Sequence, residues 1–195
     1  MASVSPQLVV ISGPNGAGKT TSARVLLPET MTIEQFVNAD LIAQGLSPLA
    51  PQSAELEAGK LMLARIRELA GRGDSFAFET TLASRTFRPF LLEQQTRGYT
   101  IHLVYLWLRR PELAIARVAE RVRCGGHHVP DEVVRRRYQR GLRNLFQLYL
   151  PLANSWLMCD NSTGELQLVA EGGLREQTLI HDRELFSIIQ RYAGA

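Results

Sequence analysis

Gly13-Pro14-Asn15-Gly16-Ala17-Gly18-Lys19-Thr20 satisfies the pattern GxxxxGK[ST] at every fixed position. Residues of these types at this spacing suit phosphate binding. Glycines let successive backbone N–H groups converge on phosphate oxygens at a helix N-terminus, whose partial positive charge favours an anion, and no side chain intrudes. Lys19 would reach the β- and γ-phosphates of a nucleoside triphosphate, and the Thr20 hydroxyl would ligand Mg²⁺. The plainer alternative is a glycine-rich turn with an incidental lysine. Context argues against it, because the motif follows the apolar run Leu8-Val9-Val10-Ile11 and opens a helical stretch. Composition does too: Lys19 is one of two lysines, with Lys60, in a chain with 20 arginines, and a compact ammonium is wanted at this spot.

Phosphoryl transfer to a hydroxyl also needs a carboxylate to take the acceptor's proton, and cations to neutralise the γ-phosphoryl oxygens. Ligands of open α/β sheets bind beyond the carboxyl ends of the strands. Two acids qualify. Asp40 follows Phe36-Val37-Asn38-Ala39, and Glu79 follows Phe76-Ala77-Phe78 and precedes Thr80-Thr81. As site residues, Asp40 is expected to activate the acceptor hydroxyl, and Glu79 with Thr80 and Thr81 to position acceptor or metal. Their plainer roles are a helix N-cap before Leu41-Ile42-Ala43 for Asp40 and a solvated strand end for Glu79.

Cations concentrate in one segment. From Arg109 to Arg143 there are ten arginines against four acids, a local balance of +6 in a chain whose total is +3. Cys124-Gly125-Gly126-His127-His128-Val129-Pro130 separates two helical patterns, which predicts a small mobile lid, about residues 121–135, carrying cations toward the phosphates. Arginine suits that work because its planar fork pairs with phosphate oxygens bidentately. Helical phase sorts the candidates. In the later helix Val134, Tyr138, Leu142, Leu145, Phe146 and Tyr149 share an apolar stripe, and Arg136, Arg140 and Arg143 lie opposite it as solvated surface. Arg135 falls inside the stripe, where an unpaired charge is costly, so it is expected to point into the nucleotide site or to pair with a carboxylate. In the earlier helix Ile115, Val118 and Val122 form the core stripe, so Arg117 and Glu120 face away. Arg121, on a flank, is a candidate phosphate clamp, and Arg123 a second. His127 and His128 are ambiguous, with a metal pair as one reading, but no acid or cysteine at ligand spacing completes such a site.

The elements that must position these residues alternate strand and helix, the rhythm of a mostly parallel sheet covered by helices. Strands are expected at Leu8–Ile11, Ile33–Asn38, Ser75–Glu79, Thr100–Leu108 and Ser155–Asp160, with a further one at Leu166–Ala170. Helices are expected at Gly18–Leu27 (ending before Pro28), Gln52–Leu69, Thr86–Gln95, Pro111–Arg123, Asp131–Leu150 with Asp131 as N-cap, and Asp182–Tyr192. The 195 residues fit one domain, 1–195, and 45% hydrophobic content is ordinary for a packed core. Apolar runs fall far short of the roughly 18 residues of a membrane span, and no secretory signal opens the chain. Two cysteines, Cys124 and Cys159, outside any CxxC spacing suggest neither disulfides nor zinc, and a reducing cytoplasm is the expected compartment.

Together, Gly13 to Thr21, Phe36-Val37-Asn38-Ala39-Asp40, Phe76-Ala77-Phe78-Glu79-Thr80-Thr81-Leu82, Arg121 to Pro130 and Asp160-Asn161-Ser162 resemble the zeta-toxin-like P-loop kinases, more closely a bacterial branch of predicted ATPases. The resemblance spans about Leu8 to Ser162. It implies an α/β P-loop NTPase fold with a kinase-type parallel sheet of about five strands flanked by helices. It also implies transfer of the γ-phosphate of ATP·Mg²⁺ to a sugar hydroxyl, UDP-N-acetylglucosamine being the substrate of true zeta toxins. Asp40 stands where that family keeps its catalytic base, Glu79 at its strand-end glutamate and Arg121 at one phosphate-contacting arginine. Nucleotide binding is expected from Gly13 to Thr21, Arg121, Arg123 and Asn161. The family's second lid arginine is replaced by Gly126-His127-His128, leaving His127, Arg123 or Arg135 as the second clamp, or no second clamp at all. An antitoxin partner belongs to the wider family. Two other readings compete: an ATP-binding or hydrolysing switch without an acceptor, in which Glu79 positions water, and a polynucleotide kinase, which ranks lower because no aromatic residues interleave the arginines.

Overall fold

The structure is a computed structural model that describes residues 5–30, 32–126 and 128–194. Leu8, Val9, Val10 and Ile11 are fully buried, as a strand covered on both faces requires. They form β1 (Gln7–Ser12), the middle of the parallel part of the sheet. Parallel to it run β2 (Phe36–Val37), β3 (Phe76–Thr80), β4 (Thr100–Trp107) and β5 (Ser155–Asp160). Two antiparallel strands, β6 (Gln167–Gly173) and β7 (Glu176–Ile180), complete the order β2-β3-β1-β4-β5-β6-β7. Among the described residues the sheet thus has seven strands rather than about five. The additional edge strand, β7, reads Glu-Gln-Thr-Leu-Ile and is exposed at all five positions, so no buried face imposes an apolar alternation on it.

Among the described residues seven α-helices accompany the sheet: α1 (Lys19–Thr30), α2 (Ala39–Leu46), α3 (Glu55–Arg72), α4 (Phe87–Thr96), α5 (Pro111–Arg123), α6 (Asp131–Asn144) and α7 (Arg183–Ala193). α1 runs through Pro28, which near a helix end removes only one backbone bond. α2 is the helix that the alternative role of Asp40 implied, but its cap is Asn38 rather than Asp40, so the second expected strand shrinks to two residues. α3 is preceded by a tight turn at Pro51–Ala54 and stops at Gly73, whose φ of 74° is a left-handed helix end. α6 is shorter than expected. It gives way to a wide turn at Leu145–Tyr149 and a 3-10 turn ending at Leu152, with Pro130 rather than Asp131 at the cap position. No helix among the described residues is long and apolar enough to cross a membrane.

Register brings the strand ends together. Ser12 lies beside Thr80 and Tyr105, Val37 beside Phe78, and Trp107 beside Asp160. The phosphate loop, Asn38, Glu79 and Asn161 therefore emerge at one edge of the sheet. Phe78 stacks on Phe87 with ring centroids 4.8 Å apart, anchoring the start of α4 beside that edge.

Candidate active site

Gly13 to Gly18 join β1 to α1, and the glycines are structurally obligatory at two places. Gly13 has φ 140°, and a Cβ there would stand 2.2 Å from the Leu106 carbonyl oxygen; Gly18 has φ 79°, and its Cβ would meet Asn161 Nδ2 at 2.6 Å. Asn161 supports the loop from beneath, Nδ2 donating to the Ala17 carbonyl at 2.8 Å. Lys19 is buried, Nζ donating to the Pro14 carbonyl at 2.9 Å and lying 3.5 Å from Glu79 Oε1.

Glu79 is no solvated strand end. Its Oε2 accepts from the Thr20 hydroxyl at 2.7 Å and from Asn38 Nδ2 at 2.7 Å, and the same Nδ2 lies 3.2 Å from Thr20 Oγ1. Asn38 Oδ1 accepts the backbone N–H groups of Asp40 (2.7 Å) and Leu41 (3.2 Å), capping α2. Asp40 is thereby relieved of the capping role. Its carboxylate is about half exposed, with Oδ2 3.4 Å from Nη1 of Arg121. Thr20 and Glu79 present hard oxygens suited to Mg²⁺, and among the described residues no three His, Cys, Asp or Glu side chains gather into a metal centre. These two residues would hold the ion together with phosphate oxygens.

A cleft of about 660 Å³ opens over this edge. Asn15, Gly16, Gly18, Lys19, Thr20 and Thr21 form its floor, Asn38, Asp40, Glu55 and Met62 one wall, and Glu79, Thr80, Thr81 and Ser84 the other. Five arginines also line it: Arg117, Arg121, Arg136, Arg137 and Arg140. Of these only Arg121 was an expected site residue.

Arg117, Arg136 and Arg140 are corrections to their expected place on plain surface, and both helices explain why. In α5 the buried positions are Ala114 and Val118, while Ile115 and Val122 are half-buried. Ala114 packs against the phosphate loop, its carbonyl 2.8 Å from where a Gly16 Cβ would be. That rotation turns Arg117 over the loop, one turn before Arg121. Arg117 Nη2 donates to the Ser162 carbonyl at 2.9 Å, with Nη1 3.5 Å from the Gly16 carbonyl. In α6 the decisive residue is Gly141, which lets the helix approach until a Cβ would stand 2.3 Å from the Thr81 carbonyl oxygen. Arg137, one turn earlier, and its neighbours Arg136 and Arg140 then face the cleft.

Of the residues expected to bind nucleotide, Gly13, Pro14, Ala17 and Asn161 do not line the cleft, and two expected lid residues do not reach it either. Arg123, three-quarters exposed, pairs with Glu120 one turn back on α5. Arg135 takes the carboxylate alternative: it pairs with Glu112 of α5, and its guanidinium holds that carboxyl below the usual range. His127 lies outside the described residues. The segment 121–135 comprises the end of α5, a turn with Gly125 at φ 81°, and the first turn of α6. The wall after β3 is strained: Leu82, fully buried, adopts φ 55°, its carbonyl held by Asn144 Nδ2 at 2.8 Å. Asn38, Arg137 and the rotated α5 face were missed. The signals were present in the cap spacing before Asp40 and the four-residue step from Arg117 to Arg121.

A family model described as an AAA domain (AAA_33) matches residues 8–145. An uncharacterised protein of Haemophilus influenzae is 29% identical over 126 residues, 65% of this chain and 88% of that one. Among solved structures, AvrRxo1-ORF1:-ORF2 with ATP superposes with a TM-score of 0.74 at 17% identity, over 94% of this chain and 63% of that chain. The PezAT toxin–antitoxin system of Streptococcus pneumoniae superposes with a TM-score of 0.68 at 17% identity, over 100% of this chain and 81% of that chain. At these identities the likeness is one of fold, and this chain spans less than two thirds of the AvrRxo1 chain it matches.

Proposed function

Since this chain belongs to the AAA domain family AAA_33 and has the fold of P-loop kinases, we propose that it is an ATP-dependent phosphotransferase. It moves the γ-phosphoryl group of ATP to a hydroxyl of a small molecule. The observation that carries the reading is that Asp40, a carboxylate relieved of capping duty, shares one cleft with the phosphate loop and a lid arginine. The loop N–H groups and Lys19 bind the phosphates, and Arg117 and Arg121 add counter-charge over the loop. Mg²⁺, held by Thr20 beside Glu79, supplies charge neutralisation when bound. Asp40 accepts the proton of the attacking hydroxyl as the new O–P bond forms and the bond to the β-phosphate oxygen breaks, releasing ADP.

The acceptor carries phosphate of its own, and a nucleotide sugar such as UDP-N-acetylglucosamine fits. Three further arginines, Arg136, Arg137 and Arg140, line the cleft on α6, spaced so that like charges crowd one helix face. An anionic acceptor relieves that repulsion. A polynucleotide acceptor would use the same cations, but Phe87 is the single aromatic side chain lining the described cleft, which offers little stacking. A protein partner of the antitoxin kind is proposed by analogy with PezAT, itself a toxin–antitoxin system. The cytoplasm is the proposed compartment, with Cys124 and Cys159 both free thiols.

The test is incubation with γ-labelled ATP and a panel of nucleotide sugars, free sugars, nucleosides and oligonucleotides. Label is expected on a nucleotide sugar, and Asp40→Asn should abolish it while ATP still binds. Steady hydrolysis indifferent to every acceptor and to Asp40→Asn would replace the kinase by the hydrolysing switch.

A further inference from the structure

Asn38 is buried between two strand ends, and both polar atoms of its amide have partners. Nδ2 donates to Glu79 Oε2 at 2.7 Å with Thr20 Oγ1 alongside at 3.2 Å, one N–H lying between the two oxygens, and the amide oxygen accepts the N–H groups of Asp40 and Leu41. Turning the amide over would set its oxygen against a carboxylate and its NH₂ against two N–H donors, so the network permits one orientation. The Thr20 hydroxyl gives its hydrogen to Glu79, with Asn38 Nδ2 on the same side of Oγ1, which fixes the hydroxyl's rotation and leaves its lone pairs directed away from Glu79. Register makes this arrangement systematic, since Val37 pairs with Phe78 and Asn38 therefore comes level with Glu79.

We propose that Asn38 is a positioning residue that clips the Thr20 hydroxyl, the Glu79 carboxylate and the first turn of α2 into one unit. The clip fixes the rotation of the Thr20 hydroxyl so that its lone pairs are available to the magnesium of a bound nucleotide. Through the cap on α2, it sets the place of Asp40 relative to that nucleotide. The second consequence rests on the kinase reading above; the first does not. The inference differs from an ordinary cap because a cap needs only the side-chain oxygen, whereas the Nδ2 contacts reach across to β3 and α1.

Asn38→Ser and Asn38→Thr separate the two. Both residue types cap helices well, neither adds charge, and neither reaches Glu79 with a donor. Calorimetry would measure binding of adenylyl-imidodiphosphate, a non-hydrolysable ATP analogue, with Mg²⁺ and with EDTA, after a thermal melt shows the variant folded. The wild type is expected to bind the analogue at least about tenfold tighter with Mg²⁺, and the variants to lose most of that ratio, as removal of a hydrogen bond to a charged group would cost. Metal-free affinity should stay within about twofold of wild type, because the loop and Lys19 are untouched. A merely structural asparagine would lower both affinities together. The inference is overturned if either folded variant keeps the wild-type ratio, or if the wild type shows no magnesium dependence. A wild type with the expected ratio that labels no acceptor would remove the kinase reading and leave the clip standing.

Discussion

Asp40 Oδ2 and Arg121 Nη1 face each other at 3.4 Å across the cleft, one from the first turn of α2 and the other from the last turn of α5. The proposed base and the proposed lid cation are thus partners before any substrate arrives. Asp40 is about half exposed and Arg121 about one-third, and their contact is long, so the pair contributes little to stability and its disruption should register in turnover. Asp40→Asn is expected to lower kcat by about 10²–10⁴-fold with the KM for ATP nearly unchanged. Arg121→Gln should lower kcat while leaving the melting temperature within about 2 °C, because surface ion pairs are worth so little. Steady-state kinetics with calorimetry on both variants checks this.

The arginines of α6 divide by face. Arg137 and Arg140 line the cleft, whereas Arg143 is exposed and does not. Arg137→Gln and Arg140→Gln should each raise the KM for a phosphate-bearing acceptor by about tenfold, the cost of one charge-assisted hydrogen bond, with ATP affected far less. Arg143→Gln should move neither constant. Should the loss fall instead on ATP, these arginines belong to the donor side.

Gly141 and Gly59 both lie within helices but should respond in opposite directions to alanine. A Cβ at Gly141 would strike the Thr81 carbonyl at 2.3 Å, while nothing lies within 4 Å of one at Gly59. Gly141→Ala is expected to destabilise by about 1–3 kcal/mol, since a backbone atom must give way. Gly59→Ala should stabilise by about 0.5–1 kcal/mol through helix propensity. Two chemical denaturation curves decide the matter.

His102 titrates against folding. Its Nδ1 lies 2.7 Å from Ser155 Oγ, its Nε2 is buried without a partner, and burial holds its pKa below the ordinary 6.5. The unfolded chain therefore binds a proton near that ordinary value while the folded chain still resists it, so stability must fall as pH drops through about 6.5 toward the lower folded value. A melting temperature that declines between pH 7.5 and pH 5.5, with a smaller decline in His102→Gln, is the expected outcome. An NMR titration placing the imidazole above its ordinary value would contradict it.

The core strands and the phosphate loop were legible in the sequence because each is specified by local chemistry: continuous apolar runs for β1 and β4, and fixed glycine spacing for the loop. Asp40 and Glu79 were legible as cleft residues from their places at strand ends, and Arg121 from its flank of the helical stripe. What escaped was set by contacts between elements. Phase alone put Arg117 on the outer face of α5, and only the packing of Ala114 on the loop at Gly16 shows the helix turned the other way. Gly141 carried the same information for α6, but a glycine inside a helix does not say which carbonyl it approaches. β7 was invisible because a fully exposed edge strand has no core to pattern it, and α2 was legible only as an alternative with the wrong cap, because a capping asparagine two residues ahead of a carboxylate reads equally well as a strand end.

The support beneath the phosphate loop comes from the far side of the recognised family region. That region ends at residue 145, yet Asn161 holds the Ala17 carbonyl and the Ser162 carbonyl holds Arg117 over the glycines. A polypeptide cut at residue 145 would keep every letter of the nucleotide motif and lose its keel. β5 would go with it, leaving the β4 edge that it pairs with bare. The smallest portable unit of this molecule is therefore longer than its signature, and a shuffled or shortened relative that ends with the signature should bind nucleotide poorly and aggregate through that edge.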